Sequence, residues 1–395
     1  MKQKIKVRNK YFRRYLGVIF ASLFFILGPF SGTALADAGF TVTESGGSTS
    51  VAESGSTDTF TVVLDEQPSE NVVFSVASGD TGEVTVSPAT LTFTSGNWNS
   101  AQTVTVTGVN DSLIDGSQTT TITIAVVDAI SDDDFDSLAD KTVSVTTTDN
   151  DTASFTVTQS GGSTAVSESG STDTFTVVLG AQPASNVVIS VTSGDTGEAT
   201  VSPATLTFTS GNWNSAQTVT VTGINDDLVD GTQTSTITMS VVDASSDNNF
   251  DSLNDQTVSV TTADTDVAGF TKIESGGSTT VAESGTTDTF TVVLDAQPAS
   301  NVVISVTSGD TGEATVSPAT LTFTSGNWNS AQTVTVTGVN DSLIDGSQNT
   351  TITMSVVDAS SDDSFDSLND QTVTVSTADN DTASFTVTQS GGSTS

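Results

Sequence analysis

The chain repeats itself every 115 residues, and this period restricts its architecture more than any other feature of the sequence. Trp98, Trp213 and Trp328 keep this spacing, and the segment Thr85–Asp111 recurs unchanged at Thr315–Asp341. Solenoid repeats are about 20–50 residues long, whereas a unit of this length is the size of an independent domain. The period therefore predicts a tandem array of similar domains.

The phase of the repeat divides the chain into a leader, three complete units and the beginning of a fourth. We expect a signal peptide at 1–36, repeats at 37–151, 152–266 and 267–381, and the start of an incomplete fourth repeat at 382–395.

Alternation of apolar and polar residues with a period of two fills each repeat. Phe60, Val62 and Leu64 alternate with Thr-rich neighbours, and Val104 and Val106 do the same. This pattern indicates strands with one buried and one wet face, and clusters of Gly, Asn, Asp and Ser separate them. The sequence predicts an all-β chain of tandem immunoglobulin-like antiparallel β-sandwiches, with about seven or eight strands in each repeat.

The first 36 residues have the pattern of a secretory signal. Residues 1–15 carry seven Lys or Arg and no acid, Leu16–Leu27 is mostly apolar, and Ala34-Leu35-Ala36 precedes the expected cleavage before Asp37. An uncleaved membrane anchor is the alternative, but its apolar run would be short of the roughly 20 residues that span a bilayer. We therefore expect the mature chain to be secreted or held at the cell surface.

The charge of the chain excludes several classes of function. Its 47 acidic residues outweigh nine basic ones, for a net charge of −38. Beyond residue 36 only Lys141 and Lys272 are basic, so that part carries −45, from two lysines and all 47 acids. Such a chain is unsuited to nucleic acid. The absence of His and Cys leaves oxygen as the available metal ligand, which favours hard cations such as calcium.

The acids gather where strands end, while the wet faces carry mainly Thr and Ser. Asn110–Asp115, Asp132–Asp136 and Asp149–Asp151 are the dense segments of the first repeat. Like charges this close repel each other unless a cation lies between them. A calcium site and a solvated acidic surface both remain open on this pattern. We expect Asp132–Asp136 to be a solvated loop, and Trp98 to pack over the end of the sandwich.

The order of motifs resembles the Calx-beta family of calcium-binding β-sandwich modules. The first repeat reads A-E-S-G (52–55), T-D-T-F-T-V-V-L (57–64), T-L-T-F (90–93), Q-T-V-T-V-T-G-V-N-D (102–111) and V-T-T-T-D-N-D (145–151). The resemblance covers all three repeats and implies calcium as the bound ion. It also implies the setting of a large bacterial secreted or surface protein, such as an adhesin.

In calcium-binding members of that family the ligands come from four loops at one end of the sandwich. The resemblance implies these matching ligands: Glu53, Glu83, Asn110, Asp111, Asp115, Asp149 and Asp151 in the first repeat; Glu168, Glu198, Asp226, Asp230, Asp264 and Asp266 in the second; Glu283, Glu313, Asn340, Asp341, Asp345, Asp379 and Asp381 in the third. Asn and Thr replace some Asp residues of the family, so we expect affinities near ~10⁻⁴–10⁻³ M.

The leading hypothesis for function is a non-enzymatic stalk of an exported adhesin or matrix protein, in which calcium stiffens the junctions between domains. The alternative is an accessory region of a secreted enzyme whose catalytic domain lies outside this chain. Direct binding of ice or polysaccharide by Thr-rich faces such as Thr103–Thr107 is a third hypothesis. The expected partners are calcium, bound by this chain, and a cell-surface or matrix polysaccharide or protein, bound through regions outside this chain. We expect no binding of nucleic acid and no membrane span in the mature chain.

Overall fold

The computed structural model of the protein describes residues 38–388 and 391. The predicted signal peptide lies outside these residues, as do residues 389–390 and 392–395 of the predicted fourth repeat. Within the described residues the chain is all-β, with strands joined by loops and short 3₁₀ turns. This confirms the predicted fold class. In the same part of the chain, no helix has the length and apolar character needed to span a membrane.

The strands form three successive pairs of sheets, here called modules 1, 2 and 3. Module 1 contains β1 (Phe40–Glu44), β2 (Thr49–Ala52), β3 (Thr57–Leu64), β4 (Val72–Ser78), β5 (Val84–Ser87), β6 (Thr90–Phe93), β7 (Gln102–Gly108), β8 (Gln118–Val126) and β9 (Lys141–Thr148). One sheet has the order β1-β3-β7-β5, and the facing sheet has the order β2-β9-β8-β4-β6.

Modules 2 and 3 repeat this strand order. Module 2 contains β10 (Phe155–Gln159), β11 (Thr164–Ser167), β12 (Thr172–Leu179), β13 (Val187–Ser193), β14 (Ala199–Ser202), β15 (Thr205–Phe208), β16 (Gln217–Gly223), β17 (Gln233–Val241) and β18 (Gln256–Ala263). Module 3 contains β19 (Phe270–Glu274), β20 (Thr279–Ala282), β21 (Thr287–Leu294), β22 (Val302–Ser308), β23 (Ala314–Ser317), β24 (Thr320–Phe323), β25 (Gln332–Gly338), β26 (Gln348–Val356) and β27 (Gln371–Ala378).

Each module has nine strands because its first strand changes sheets. In module 1, Gly46 and Gly47 adopt φ of 68° and 86° between β1 and β2, a conformation that glycine adopts at little cost. The turn moves the chain from the sheet of β3 to the sheet of β9. The second segment pairs parallel with the last strand in modules 2 (β11 with β18) and 3 (β20 with β27). The sandwich is otherwise built from antiparallel pairs.

Alternating side chains fill one core in each module. In β3 the burial pattern follows the period of two, and Phe60, Val62 and Leu64 are buried. Trp98 packs against the edge of this core, as expected from the sequence. Burying a large apolar side chain contributes roughly 1.5–3 kcal/mol, and the three separate clusters show that each module carries its own core.

Close contacts group the chain into two compact units. Among the described residues, the first unit holds 38–109 and Thr119–Thr147, and the second holds Asn110–Gln118 and the residues from Thr148 onward. Modules 2 and 3 therefore belong to one compact unit, which also includes a short loop of module 1.

The loop Asp132–Asp136 is not uniformly solvated, which corrects the expectation from sequence. Asp132 is 5% exposed, and its Oδ2 accepts hydrogen bonds from the backbone N–H groups of Ser69 at 2.7 Å and Glu70 at 2.8 Å. These donors, chiefly Glu70 N–H, lower the pKa of Asp132. Asp133 and Asp134 are exposed. Asp132 therefore connects two loops by hydrogen bonds, and we call this connection a brace. A count of charges in the sequence does not distinguish Asp132 from its solvated neighbours.

This brace gives a stability prediction in module 2, where Asp247 Oδ2 accepts from Ser185 N–H at 2.8 Å and Asp247 Oδ1 accepts from Asn249 N–H at 3.0 Å. Asp247→Ala should lower the free energy of unfolding of this module by about 1–3 kcal/mol, because it leaves backbone donors without partners. The exposed neighbour Asn248 provides the control. Asn248→Ala should change the free energy of unfolding by less than about 0.5 kcal/mol. Urea unfolding measures both, and equal effects would contradict the brace.

Candidate metal centre

Four loops of module 2 bring carboxylates from distant parts of the sequence together. Glu168 follows β11, Glu198 precedes β14, Asp226 and Asp230 follow β16, and Asp266 follows β18. Oxygens of Glu168, Asp226 and Asp266 lie within 4.8 Å of one another, and so do oxygens of Glu168, Glu198 and Asp230. Because Glu168 belongs to both groups, the five side chains form one acidic cluster.

A glycine at the end of β16 lets these loops approach each other. A Cβ on Gly223 would collide with the carbonyl oxygen of Ser167, the last residue of β11. Glycine removes that obstacle, so Glu168 lies beside the loop that begins at Ile224. The N–H of Ile224 then donates to the carbonyl oxygen of Glu198 at 2.9 Å. The backbone of this region thus fixes three of the four loops.

Several carboxylate oxygens of the cluster are buried without a hydrogen-bond partner. Glu168 is 1% exposed and Glu198 8% exposed. Glu198 Oε2, Asp230 Oδ1 and Asp266 Oδ2 are buried and accept no hydrogen bond. A buried charge without a partner is strongly unfavourable. Lys272 is the only basic residue in the described part of this unit, and it pairs with Glu274 at 3.0 Å.

The pKa values of the cluster reflect this lack of compensation. Burial, followed by repulsion from Asp230 and Asp226, raises the pKa of Glu198 to about 7. Burial is also the main cause of the raised pKa of Glu168 and of Asp266. Burial and neighbouring carboxylates make the charged form of these groups unfavourable, so they bind a proton readily. A bound cation would neutralise the same negative charge.

Asp264 lies in the same loop as Asp266 but has a different environment. Its Oδ2 accepts from the N–H groups of Asp230 at 3.1 Å and Gly231 at 2.7 Å, and its Oδ1 accepts from Asp266 N–H at 2.6 Å. Both oxygens therefore already join the closing loop to the loop after β16. The geometry makes Asp264 a positioning residue for Asp230 and Asp266.

Module 3 repeats the arrangement. Oxygens of Glu283, Asp341 and Asp381 lie within 4.8 Å of one another, and Glu313 Oε2 and Asp381 Oδ2 are buried without a hydrogen-bond partner. Burial raises the pKa of Glu283 and of Glu313. The recurrence of unpaired buried oxygens on different copies of the loops shows that the cluster is built into the module.

Asp379 of module 3 corresponds to Asp264. Hydrogen bonds from the N–H groups of Asp381 and Gly346 lower its pKa, which agrees with a positioning role. Asp345, its loop neighbour, is exposed and adds to the repulsion that raises the pKa of Glu313.

The predicted ligands of module 1 are divided between the two compact units. In the first unit Glu53 is 1% exposed and Glu83 9% exposed. In the second unit Asp149 Oδ2 accepts from the N–H groups of Asp115 at 3.2 Å and Gly116 at 2.8 Å. Burial, with repulsion from Asp149 and Asp111, raises the pKa of Asp151.

The asparagine candidates form hydrogen bonds within their own loop and to the closing acidic loop of the same module. Asn110 Nδ2 donates to the carbonyl oxygen of Asp111 at 2.6 Å, and Asn110 Oδ1 accepts from Asn150 Nδ2 at 3.0 Å. Asn340 makes the same pair of bonds with Asp341, at 2.7 Å, and with Asn380, at 3.0 Å. These amides therefore brace the two acidic loops against each other.

The loop that follows β7, β16 and β25 has a structural feature that the sequence did not predict. Three residues of each loop, 112–114, 227–229 and 342–344, are here called the hook. Asp226 Oδ1 accepts from the N–H of Leu228 at 2.8 Å, so a carboxylate of the acidic cluster holds the hook of module 2. The signal in the sequence was a pair of large apolar residues between acids, such as Leu343-Ile344 between Asp341 and Asp345.

Comparisons with known proteins return structural neighbours only. No protein-family model matches the chain, and no curated protein matches it. A three-immunoglobulin-domain segment of titin is 9% identical, with a TM-score of 0.25, over 88% of this chain and 99% of that one. The calcium binding domain CBD12 of CALX1.1 is 14% identical, with a TM-score of 0.23, over 51% of this chain and 78% of that one.

Domains 4 and 5 of the S-layer protein SbsC are 18% identical, with a TM-score of 0.23, over 58% of this chain and 100% of that one. At TM-scores this low the similarities carry no functional argument. The tandem β-sandwich architecture follows from the strand pairing of the chain itself.

The raised pKa of Glu198 predicts how stability depends on pH when metal has been removed. Its pKa rises from 4.5 to about 7 on folding, so between these values the folded state binds more protons than the unfolded state. The contribution of Glu198 to the free energy of unfolding is complete below its unfolded-state pKa of 4.5 and is lost as the pH rises through its folded-state pKa of about 7. The melting temperature of metal-free protein should therefore rise on acidification from about pH 7.5 to about pH 5.

Glu198→Gln should weaken this pH dependence, because the amide cannot ionise, while Glu168 and Asp266 retain part of it. The exposed Asp255 provides the control, and Asp255→Asn should leave the dependence unchanged. Carboxyls with lowered pKa values, such as Asp173, lose their contribution only at lower pH and do not interfere. Thermal melts across the pH range measure the effect, and an unchanged profile in Glu198→Gln would contradict the assignment.

Proposed function

We propose that the chain is a non-catalytic, calcium-binding tandem-repeat stalk of an exported surface adhesin or matrix protein. The observation that carries the proposal is the acidic cluster of modules 2 and 3, in which several buried carboxylate oxygens accept no hydrogen bond. A purely solubilising acid has no reason to be buried, since its charge is better solvated at the surface. The same two features, burial and lack of compensation, are those of a cation site.

Calcium fits the chemistry of this cluster. It takes six to eight oxygen ligands with flexible geometry, whereas magnesium requires a small octahedral site and retains its waters. Glu168, Glu198, Asp226, Asp230 and Asp266 would hold the ion in module 2, and Glu283, Glu313, Asp341, Asp345 and Asp381 would hold it in module 3. For module 1 the ligand set remains the prediction made from the sequence. The ion would supply positive charge to carboxylates that otherwise repel one another.

Calcium bound in the acidic cluster would act on the neighbouring module through the loop after β16. Asp226 contributes an oxygen to the acidic cluster and holds the backbone of Leu228 with its Oδ1. Leu228 is part of the hook, which contacts module 3 within the same compact unit. Fixing Asp226 would therefore restrict the hook and, through it, the junction between modules 2 and 3.

The setting of this stalk follows from the sequence. We propose domain boundaries at 151/152 and 266/267, a signal peptide at 1–36, and residues 382–395 as the beginning of a further repeat. The positively charged leader supports export. The absence of Cys and His from the sequence leaves oxygen atoms as the side-chain ligands for a metal.

Calcium should stabilise the modules measurably. For a dissociation constant near 10⁻⁴ M, about 1 mM calcium adds roughly 1.4 kcal/mol per site, which raises a melting temperature by a few degrees. Glu198→Gln with Asp266→Asn should abolish this gain in module 2. Asp255→Asn removes one charge from an exposed position and should retain it. Calorimetric titration and thermal melts test this, and an absence of binding heat in the unmodified chain would overturn the calcium assignment.

Stiffening is a separate prediction with a separate measurement. Calcium should slow hydrogen exchange at the N–H groups of Leu228 and Val229 relative to protein in chelator, since the hook then opens less often. The core residue Val334 reports whether the module itself has changed. If calcium binds but leaves exchange at the hook unchanged, the stiffening role is wrong while the metal site stands.

A further inference from the structure

One peptide bond in the loop after β16 is held at both ends by side chains. The carbonyl oxygen of Asp230 accepts from Gln233 Nε2 at 3.0 Å. Across the same peptide bond, Gly231 N–H donates to Asp264 Oδ2 at 2.7 Å, and the N–H of Asp230 donates to that oxygen at 3.1 Å. Two successive N–H groups that converge on one anion form a nest. Two side chains therefore fix the orientation of the peptide between Asp230 and Gly231.

Modules 1 and 3 hold the matching peptide in the same way. In each, a glycine N–H donates to an Asp Oδ2 of the closing loop at 2.8 Å. A Gln Nε2 donates to the carbonyl oxygen before that glycine, at 3.0 Å in module 1 and 3.1 Å in module 3. The residues are Asp115, Gly116, Gln118 and Asp149 in module 1, and Asp345, Gly346, Gln348 and Asp379 in module 3. Because the arrangement recurs in all three modules, it is a property of the module.

Each held peptide joins an aspartate to a glycine, and these are the three Asp-Gly pairs of the sequence. In such a pair the glycine nitrogen can attack the side-chain carbon Cγ of the aspartate, because no Cβ hinders its approach. The new N–Cγ bond closes a succinimide ring, and the amide proton and the hydroxyl of the protonated carboxyl leave as one water. Water then adds to either ring carbonyl, which restores aspartate or produces isoaspartate.

We propose that these three pairs are sites of spontaneous isoaspartate formation, and that the hydrogen bonds to each peptide hold the reaction back. The lone pair of the nitrogen must be aimed at Cγ for attack, and it stands perpendicular to the peptide plane. In module 2 that plane is fixed with its N–H directed at Asp264 and its C=O directed at Gln233. The ring can therefore close only when the peptide turns, and turning breaks both bonds. Hydrogen bonds carry this inference, so it does not rest on calcium binding.

The position of the pair in module 2 makes isomerisation consequential. Asp230 contributes an oxygen to the acidic cluster, and isomerisation moves one methylene from its side chain into the main chain. Its carboxylate is then shorter, and the loop is one atom longer directly after Val229. Val229 N–H is the group that donates to the carbonyl oxygen of Gln297 at 3.0 Å. Isoaspartate at this position would therefore alter the acidic cluster and the contact of the hook with module 3 together.

Prolonged incubation of the unmodified full chain tests the proposal. Folded chain and chain unfolded in guanidinium chloride are held at neutral pH and physiological temperature for several weeks and then digested. Mass spectrometry, with labelling by an isoaspartyl methyltransferase, locates and quantifies the isomerised sites. All three pairs should isomerise in the unfolded chain, and at least about tenfold more slowly in the folded chain, because ring closure waits for the loop to open. Equal rates, or no isoaspartate at these pairs in the unfolded chain, would contradict the proposal.

Gln233→Ala removes one of the two side chains that hold the peptide in module 2 and leaves every carboxylate in place. Isomerisation at Asp230 should become roughly fivefold faster, the effect expected from one hydrogen bond. The pairs of modules 1 and 3 keep their partners and should keep their rates. Gln217→Ala is the matched control, since Gln217 Nε2 donates elsewhere, to the carbonyl oxygen of Thr207 at 2.8 Å. An unchanged rate in Gln233→Ala, or the same acceleration in Gln217→Ala, would show that the held peptide is not what slows the reaction.

Asp264→Ala removes the acceptor of both N–H groups, so isomerisation at Asp230 should be faster than in Gln233→Ala. Slower isomerisation than in the unmodified chain would overturn the proposal, because Asp264 would then be a base that assists the attack. Hydrogen exchange at the core residue Val219 reports whether module 2 remains folded in each variant. If Asp264→Ala unfolds the module, the rates in Gln233→Ala and in the unmodified chain decide the outcome.

Discussion

Uncompensated negative charge at the loops of modules 2 and 3 is the constraint on which the rest of the structure depends. Each sandwich gains its stability from an apolar core, and most acids could have stayed on the wet faces without cost. Glu168 and Glu198 are instead buried in a unit whose only described basic residue is engaged elsewhere. The sandwich must hold these carboxylates together against their repulsion, and its glycine contacts and positioning aspartates serve that purpose.

The same loops connect the cluster to the neighbouring module. Asp264 fixes the base of the loop after β16, Asp226 holds the hook, and the hook reaches Gln297. These contacts run through backbone groups, whose positions are set by the fold rather than by mobile side chains. A change in charge at the cluster therefore acts on an element that already touches the next module.

Much of the fold could be predicted from the sequence, because alternation and a fixed period report directly on burial. Phe60, Val62 and Leu64 point to the core as their spacing requires. The sheet change at Gly46 and Gly47 was not predicted, since it depends on backbone conformation rather than on polarity. The burial of Asp132 was missed because a run of acids reads as one solvated loop until the partners of each are known.

The site was predictable in its residues but not in their roles. Its carboxylates follow strands that end near one another, which the repeat makes visible. Nothing in the sequence separates Asp264, whose oxygens serve backbone donors, from Asp266, whose Oδ2 is buried and unpaired. The parallel pairing of β11 with β18 has a mechanical consequence. Tension between the two ends of module 2 draws these strands apart along their length, so their hydrogen bonds share the load in shear instead of opening one after another.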